Sequence, residues 1–251
     1  VFLQGYNKER VDCEKMVMMS SNFVTASSNF ENNLIFDSYN IDRKKIKQIT
    51  PGVDKETFMC DKNQKRENIL LSIGRIQEQK GQINVLRFLN NFKKVDTNFL
   101  CYFIGGPSGK SGNEYLTELE GAVKELNLES NVKFLGNQTQ IEIKELMNKA
   151  KLLIHTSQFE TFGLVAIEAN TMGIPVLTTN KGSLTEIIKS NFNGYLAEDL
   201  IDGQVNNFVK GLLNDDKYFE QIKVNCFEKS EKFDWHNTAE EIENLYKSVL
   251  I

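Results

Sequence analysis

Between residues 68 and 197 short apolar runs alternate with longer helix-patterned stretches, and this alternation constrains the fold more than any other feature. NILLSIG (68–74), NFLCYFIGG (98–106), NVKFLG (131–136), KLLIHTS (151–157), IPVLTT (174–179) and GYLA (194–197) read as strands. Helical patterns over 80–94, 113–127, 141–150, 161–173 and 184–190 separate them. Strand and helix in regular alternation predict a parallel sheet with crossover helices. Such strands are covered on both faces, so they read as continuous apolar runs rather than alternating ones. The expected fold is α/β, a Rossmann-like doubly wound parallel sheet. In such sheets ligands lie beyond the carboxyl ends of the strands. The glycine turns after Ile73, Ile104 and Leu135 fall at that edge.

The flanks differ. Residues 11–50 carry a helix (11–20), a strand (22–27), a helix (29–39) and a strand (45–50), too little for a second doubly wound domain. They read as the end of one. The expected division is a remnant of an N-terminal domain (1–50), a linker (51–67), the Rossmann-like sheet domain (68–233) and a C-terminal helix (234–251) with Asp234 as its N-cap. Residue 1 is Val and no signal-peptide pattern follows, so the expectation is a chain cut from a longer one.

FIGGPSGKSG (103–112) invites a phosphate-loop reading. A P-loop places its first glycine five residues before the Gly-Lys-Ser glycine, and that position is Ile104. The loop is one residue short, and no following acidic strand supplies a magnesium ligand. A tight turn after a buried strand is the plainer reading, with Lys110 a surface lysine. A P-loop phosphohydrolase stays as the lesser alternative.

Two other segments carry chemistry. In SQFETFGLVAIEANTMG, Glu160 and Glu168 flank a helix start at Thr161–Leu164, whose amides lack helical partners and favour an anion. Gly163 lets a ligand approach the backbone, and two carboxylates suit sugar hydroxyls. In SIGRIQEQKG (72–81), Arg75 and Lys80 follow a strand at the same edge and can meet one anion, Arg as a planar fork and Lys as a point charge. His155 ends a buried strand and reads as a core histidine, Cys101 as core, Trp235 as packing and Glu186 as a helix starter.

These pieces together resemble the C-terminal half of GT-B glycosyltransferases of family 4, in the branch of sucrose-phosphate synthases and mycothiol-type N-acetylglucosaminyltransferases. TPGVD (50–54), SIGRIQEQKG (72–81), IGGPSG (104–109), VKFLG (132–136) and ETFGLVAIEANTMGIPV (160–176) carry the resemblance in the family's order. It implies transfer of a glycosyl group from a nucleotide-diphosphate sugar to an acceptor hydroxyl, with retained anomeric configuration, a front-face mechanism and no bound metal. It implies that Arg75 and Lys80 bind the donor diphosphate, Glu160 the donor sugar and Glu168 the ribose hydroxyls. The amides at Phe162, Gly163 and Leu164 would line the sugar and phosphate site, with Gly74, Gly105 and Gly106 at its edge. Arg75, Lys80 and Glu160 are the expected catalytic group. No cofactor is implied beyond a donor of UDP, GDP or ADP type.

The chain departs from the family's pattern at Gly182-Ser183, where Gly-Gly is usual, and at Thr156-Ser157, where Pro-Ser is usual. The larger departure is the absent N-terminal domain, which in the family supplies the site for a sugar, lipid-linked or small-molecule acceptor. A non-catalytic nucleotide-sugar-binding module is therefore the chief alternative.

Composition narrows the partners. A net charge of −4 argues against nonspecific nucleic-acid binding. No apolar run approaches the roughly 20 residues of a membrane span. Four dispersed cysteines and two histidines give no zinc pattern. Free thiols in a reducing cytoplasm are the expectation.

Overall fold

The computed structural model describes residues 7–61 and 64–250. The chain forms two compact units, one of residues up to Val53 together with those from Lys232 on, the other Asp54–Glu231.

The smaller unit begins with α1 (Lys8–Ser20), whose N-cap Asn7 accepts from the Glu9 amide. Parallel strands β1 (Val24–Ala26) and β2 (Ile46–Gln48) flank α2 (Asn29–Tyr39), capped by Ser28. Both strands are shorter than the sequence suggests, because with only one paired neighbour each the ladder ends after three residues. Ala26, Ile35, Tyr39, Ile41 and Ile46 make a small core. The C-terminal helix, named α10 below, belongs to the same unit. It spans Trp235–Val249, and Asp234 caps it by accepting from the His236 amide at 2.9 Å. Thr238 Oγ1 ties it to the Thr50 carbonyl at 2.8 Å. Trp235, the first residue of the helix, is half exposed (50%) rather than packed as expected. Met16, Val17 and Met19 on α1, and Ile242, Tyr246 and Val249 on α10, also leave apolar surface open.

The larger unit is a six-stranded sheet: β3 (Ile69–Ile73), β4 (Leu100–Ile104), β5 (Val132–Gly136), β6 (Leu152–His155), β7 (Val176–Thr179) and β8 (Gly194–Ala197). The spatial order is β5-β4-β3-β6-β7-β8 with every pair parallel. The chain lays strands outward from β3 and then returns to its other side, so the order reverses between β3 and β6. In sheets of this kind such a reversal, at the carboxyl ends of the two strands, is where ligands bind.

Helices α3 (Gln82–Phe92), α4 (Gly109–Glu125), α5 (Gln140–Lys149), α6 (Leu164–Thr171), α7 (Leu184–Ile187), α8 (Gly203–Asn214) and α9 (Asp216–Ser230) complete the unit. In α3 the buried set is Val85, Leu86, Phe88, Leu89 and Phe92, an i, i+3, i+4, i+7 stripe. Phe88 stacks on Phe92 at 5.7 Å between centroids. Each fully buried ring of this kind contributes about 1.5–3 kcal/mol. The central strands are buried because helices cover both faces: all four residues of β6 are buried.

Several helix bounds differ from the sequence pattern. The 80–94 pattern resolves into a 3-10 turn at Glu78–Lys80 and then α3, because Gly81 breaks the helix with a left-handed backbone. α4 starts at Gly109, four residues before its apolar periodicity begins. α8 and α9 fill 203–230, a stretch in which no element is read from the sequence above.

Arg66, almost fully buried, joins two helix ends. Nη1 donates to the carbonyls of Met147 and Ala150, and Nη2 donates to the carbonyl of Met172 and to Cys60 Sγ. Those carbonyls lie at the C-termini of α5 and α6, where a cation offsets the helix dipole.

Candidate functional site

At the switch point two loops meet, one leaving β3 and one leaving β6. After Ile73 the chain runs through Gly74 and Arg75, and Ile76 pairs with Pro107 in a single bridge. The 3-10 turn then carries Lys80. After β6 come Thr156, Ser157, Gln158, Phe159 and Glu160. Hydrogen bonds lace the two loops together. The Gln158 amide donates to the Gln79 carbonyl at 2.8 Å, and Thr156 Oγ1 donates to the Gly81 carbonyl at 2.7 Å. Gly81 is required at this contact: its φ is +66°, and a Cβ would stand 2.3 Å from the Thr156 carbonyl oxygen.

Lacing brings Lys80 and Glu160 together. Lys80 Nζ lies 2.9 Å from Glu160 Oε2, with both side chains largely buried. His155 Nε2 reaches the same oxygen at 3.2 Å. The Glu160 backbone is fixed from the far side, where Ser183 donates to its carbonyl through Oγ at 2.9 Å and through its amide at 3.2 Å. Ser183 and His155 are the site residues that sequence reading passes over. His155 gives one signal only, its place at the carboxyl end of a buried strand; Ser183 stands where the family pattern has glycine.

The two glutamates sit in opposite electrostatic settings. Burial works against ionising Glu160, but hydrogen bonds from His155 and Lys80 outweigh it and pull the carboxyl down to about 2. Glu168, half-buried on α6, has no side-chain hydrogen bond or ion pair among the described residues. Burial alone pushes its carboxyl up to about 7.

The remaining predicted residues fall around this pair. Arg75 is exposed and makes no side-chain bond among the described residues; its carbonyl accepts from Gln82 Nε2 at 2.8 Å. Gly74 and Gly105 touch: with φ +133° at Gly105, a Cβ there would stand 2.1 Å from the Gly74 carbonyl oxygen. A Cβ on Gly106 would meet the Asn137 side chain at 2.6 Å. Glycine at 105 is thus demanded by a neighbouring backbone atom and by its left-handed φ, whereas at 106 the near atoms are the end of the Asn137 side chain.

Phe162 is buried and Leu164 is 43% exposed. α6 begins at Leu164, not Thr161, because Gly163 takes a left-handed φ of +91° and serves as an N-cap with no side-chain bond. Thr161 and Phe162 belong to the preceding loop. Glu168 is therefore one turn into the helix. The geometry joins Lys80 and Glu160; no contact joins the Arg75 side chain or Glu168 to them.

Lys110 is not at this site as a phosphate ligand would be. Its side chain is 92% exposed and lies 3.8 Å from Glu114, one turn along α4. Among the described residues no three His, Cys, Asp or Glu side chains form a metal-ligand group. No helix among them is long and apolar enough to cross a membrane. All four cysteines are free, and Cys101 is buried in β4, where desolvation raises its thiol pKa.

A doubly wound parallel sheet with a cation–carboxylate pair at its switch point defines the class of α/β domain to which the comparisons are made. The model of the family "glycosyl transferases group 1" matches residues 54–229, and the chain belongs to that family. Among curated relatives, the D-inositol 3-phosphate glycosyltransferase of a Nocardioides species is 26% identical over 257 residues, covering 95% of this chain and 56% of that protein. The enzyme of the same name from Corynebacterium urealyticum is 26% identical, covering 94% and 59%. The chain thus spans 56–59% of the length of these two relatives. Among solved structures, Anabaena HepE in complex with UDP and glucose superimposes with a TM-score of 0.85 at 21% identity, over 98% of this chain and 68% of that one. Sucrose-phosphate synthase from Thermosynechococcus elongatus gives 0.85 at 22%, over 100% and 64%. At such identities the likeness is one of fold, an α/β parallel sheet whose neighbours are GT-B glycosyltransferases.

Proposed function

We propose that this chain is the donor-binding part of a retaining glycosyltransferase that uses a nucleotide-diphosphate sugar and no metal. The observation that carries the reading is the Lys80–Glu160 pair at the β3/β6 switch point. It sets a cation and an ionised carboxylate side by side, as a ligand with a diphosphate and adjoining hydroxyls needs. Arg75, exposed and unpaired, supplies a second cation on the same loop. The α6 start supplies amides without helical partners. Glu168 supplies an unpaired carboxylate one turn further on, suited to ribose hydroxyls.

In the reaction we propose, an acceptor hydroxyl oxygen attacks the anomeric carbon on the face the donor's phosphate leaves. The carbon–oxygen bond to the diphosphate breaks, and its electron pair departs with the nucleoside diphosphate. Arg75, Lys80 and the α6 amides stabilise that developing charge. The acceptor proton passes to the departing diphosphate oxygen, so no side-chain base is required.

The acceptor, be it a sugar, a lipid-linked or a small molecule, is brought by a preceding domain that the smaller unit completes. The apolar surface of α1 and α10, and the short two-stranded ladder, support this. The free cysteines fit a cytoplasmic setting. The span of 56–59% of the relatives favours donor binding without turnover as the behaviour of this chain alone.

The test is a thermal-shift panel of UDP, GDP and ADP with their glucose conjugates. UDP is the first choice, since the HepE structure holds it. A ligand at a hundredfold excess over Kd stabilises by about 2.7 kcal/mol. Lys80→Ala is expected to weaken the nucleotide that binds by about tenfold or more, the usual loss for a charge-assisted contact. No shift with any of the six ligands, or Lys80→Ala binding like wild type, refutes the reading.

A further inference from the structure

Two donors converge on one oxygen of Glu160. Lys80 Nζ and His155 Nε2 lie 2.9 and 3.2 Å from Oε2. Oε1 has no hydrogen bond among the described residues. Because Glu160 is held ionised, its oxygens only accept, so His155 Nε2 carries a hydrogen and donates it.

The two donors differ in freedom. Lys80 stands on a 3-10 turn, and its ammonium is a point charge with three rotatable donors that can turn to another anion. His155 is the last residue of β6, 5% exposed, and paired in register with Thr178 of β7. Its ring has nowhere to go.

We propose that His155 is a positioning residue: by holding Oε2 it aims Oε1 at the donor's sugar, and it keeps that aim when Lys80 turns to the diphosphate. This rests on the donor reading above. Without His155, Oε2 would be held by Lys80 alone, and Oε1 would lose its aim once Lys80 turns to the diphosphate. The sugar half of the donor would lose a fixed acceptor, while the nucleotide half would keep its contacts.

The experiment titrates the 251-residue chain calorimetrically with UDP and with UDP-glucose, or with the guanosine or adenosine pair where that base binds more tightly. His155→Phe is expected to weaken the glucose conjugate about tenfold, the usual effect of losing one charge-assisted hydrogen bond, while the free diphosphate stays within about twofold. His155→Gln, which keeps an N–H donor, recovers most of the loss. Glu160→Gln combined with His155→Phe costs no more than Glu160→Gln alone, since the two act as a unit. Equal weakening of diphosphate and conjugate marks a merely structural histidine and overturns the proposal, as does no change. A wild-type chain that binds none of the pairs overturns the donor reading first and this one with it.

Should His155→Phe not fold, the wild-type chain gives the answer by nitrogen-15 NMR, because its only histidines are His155 and His236. A protonated Nε2 on His155 whose shift moves in Glu160→Gln supports the contact; an unprotonated Nε2 overturns it.

Discussion

Glu168→Gln is expected to make the chain more stable at pH 8 and no more stable at pH 4. The carboxyl of Glu168 is pushed by burial to about 7 from an ordinary 4.5. Below 4.5 it is protonated in folded and unfolded chains alike, and no difference arises. Between 4.5 and 7 the unfolded chain releases the proton while the folded chain keeps it, so stability falls as pH rises. Above 7 both are ionised and the full cost of the buried charge is present. At about 1.36 kcal/mol per pH unit that cost is roughly 3 kcal/mol; discounted for solvent at a half-buried group, about 2 kcal/mol remains. Glutamine has the same shape without the charge, so melting curves of both proteins should coincide near pH 4 and separate progressively to pH 8.

The same titration governs the ligand: a ribose hydroxyl donates best to the ionised form. For a group at about 7, the ionised fraction rises about tenfold from pH 6 to pH 8, and apparent affinity for UDP-glucose should rise with it. In Glu168→Gln that slope should vanish. A stability gap that does not change with pH would refute the desolvation argument; an affinity slope that survives the substitution would remove Glu168 from the donor site.

Two further substitutions test the frame around the site. Gly105→Ala places a Cβ 2.1 Å from the Gly74 carbonyl oxygen at a φ few residues tolerate. A loss of about 3 kcal/mol or more is expected, read by denaturant titration, and a loss under about 1 kcal/mol would show that β3 and β4 can part at their carboxyl ends. Arg66→Met removes the donors that join the ends of α5 and α6 and leaves three carbonyls and Cys60 without them. About 3 kcal/mol should be lost, and hydrogen exchange should quicken in the last turns of both helices; unchanged exchange there would refute the capping role.

Continuous apolar runs such as NILLSIG and KLLIHTS are legible as strands because helices bury them from both sides, and that requirement is written in each run by itself. The crevice position follows from topology, since the order reverses once. What periodicity could not supply was set by tertiary contact. Gly163 reads as part of a helix until its left-handed backbone is seen, and with it the start of α6 moves three residues. Gly105 reads only as a residue at the site's edge, and its contact with the Gly74 carbonyl is set by the pairing of β3 with β4. Segment 203–230 lacks the glycine-punctuated strand signal that made its neighbours readable. His155 is the sharpest case: its residue type and buried strand are consistent with core, and only the fold of the β6 loop back onto Lys80 places Glu160 against it.

Glu160 and Glu168 share one short segment, yet the fold drives their carboxyls in opposite directions, to about 2 and about 7. The difference comes from partners rather than depth, for both are withdrawn from water. Glu160 has its donors inside the protein and is ionised before any ligand arrives. Glu168 has none among the described residues, so its ionisation carries a cost that a hydroxyl donor from a ligand would relieve. A buried polar group left without a partner is destabilising unless something else supplies the bond. On the donor reading that something is the ribose. The unpaired state of Glu168 then makes ligand binding and folding stability one linked quantity: the stabilisation given by UDP-glucose over and above that given to Glu168→Gln should be largest at pH 8, where the empty carboxylate costs most, and should shrink toward pH 5.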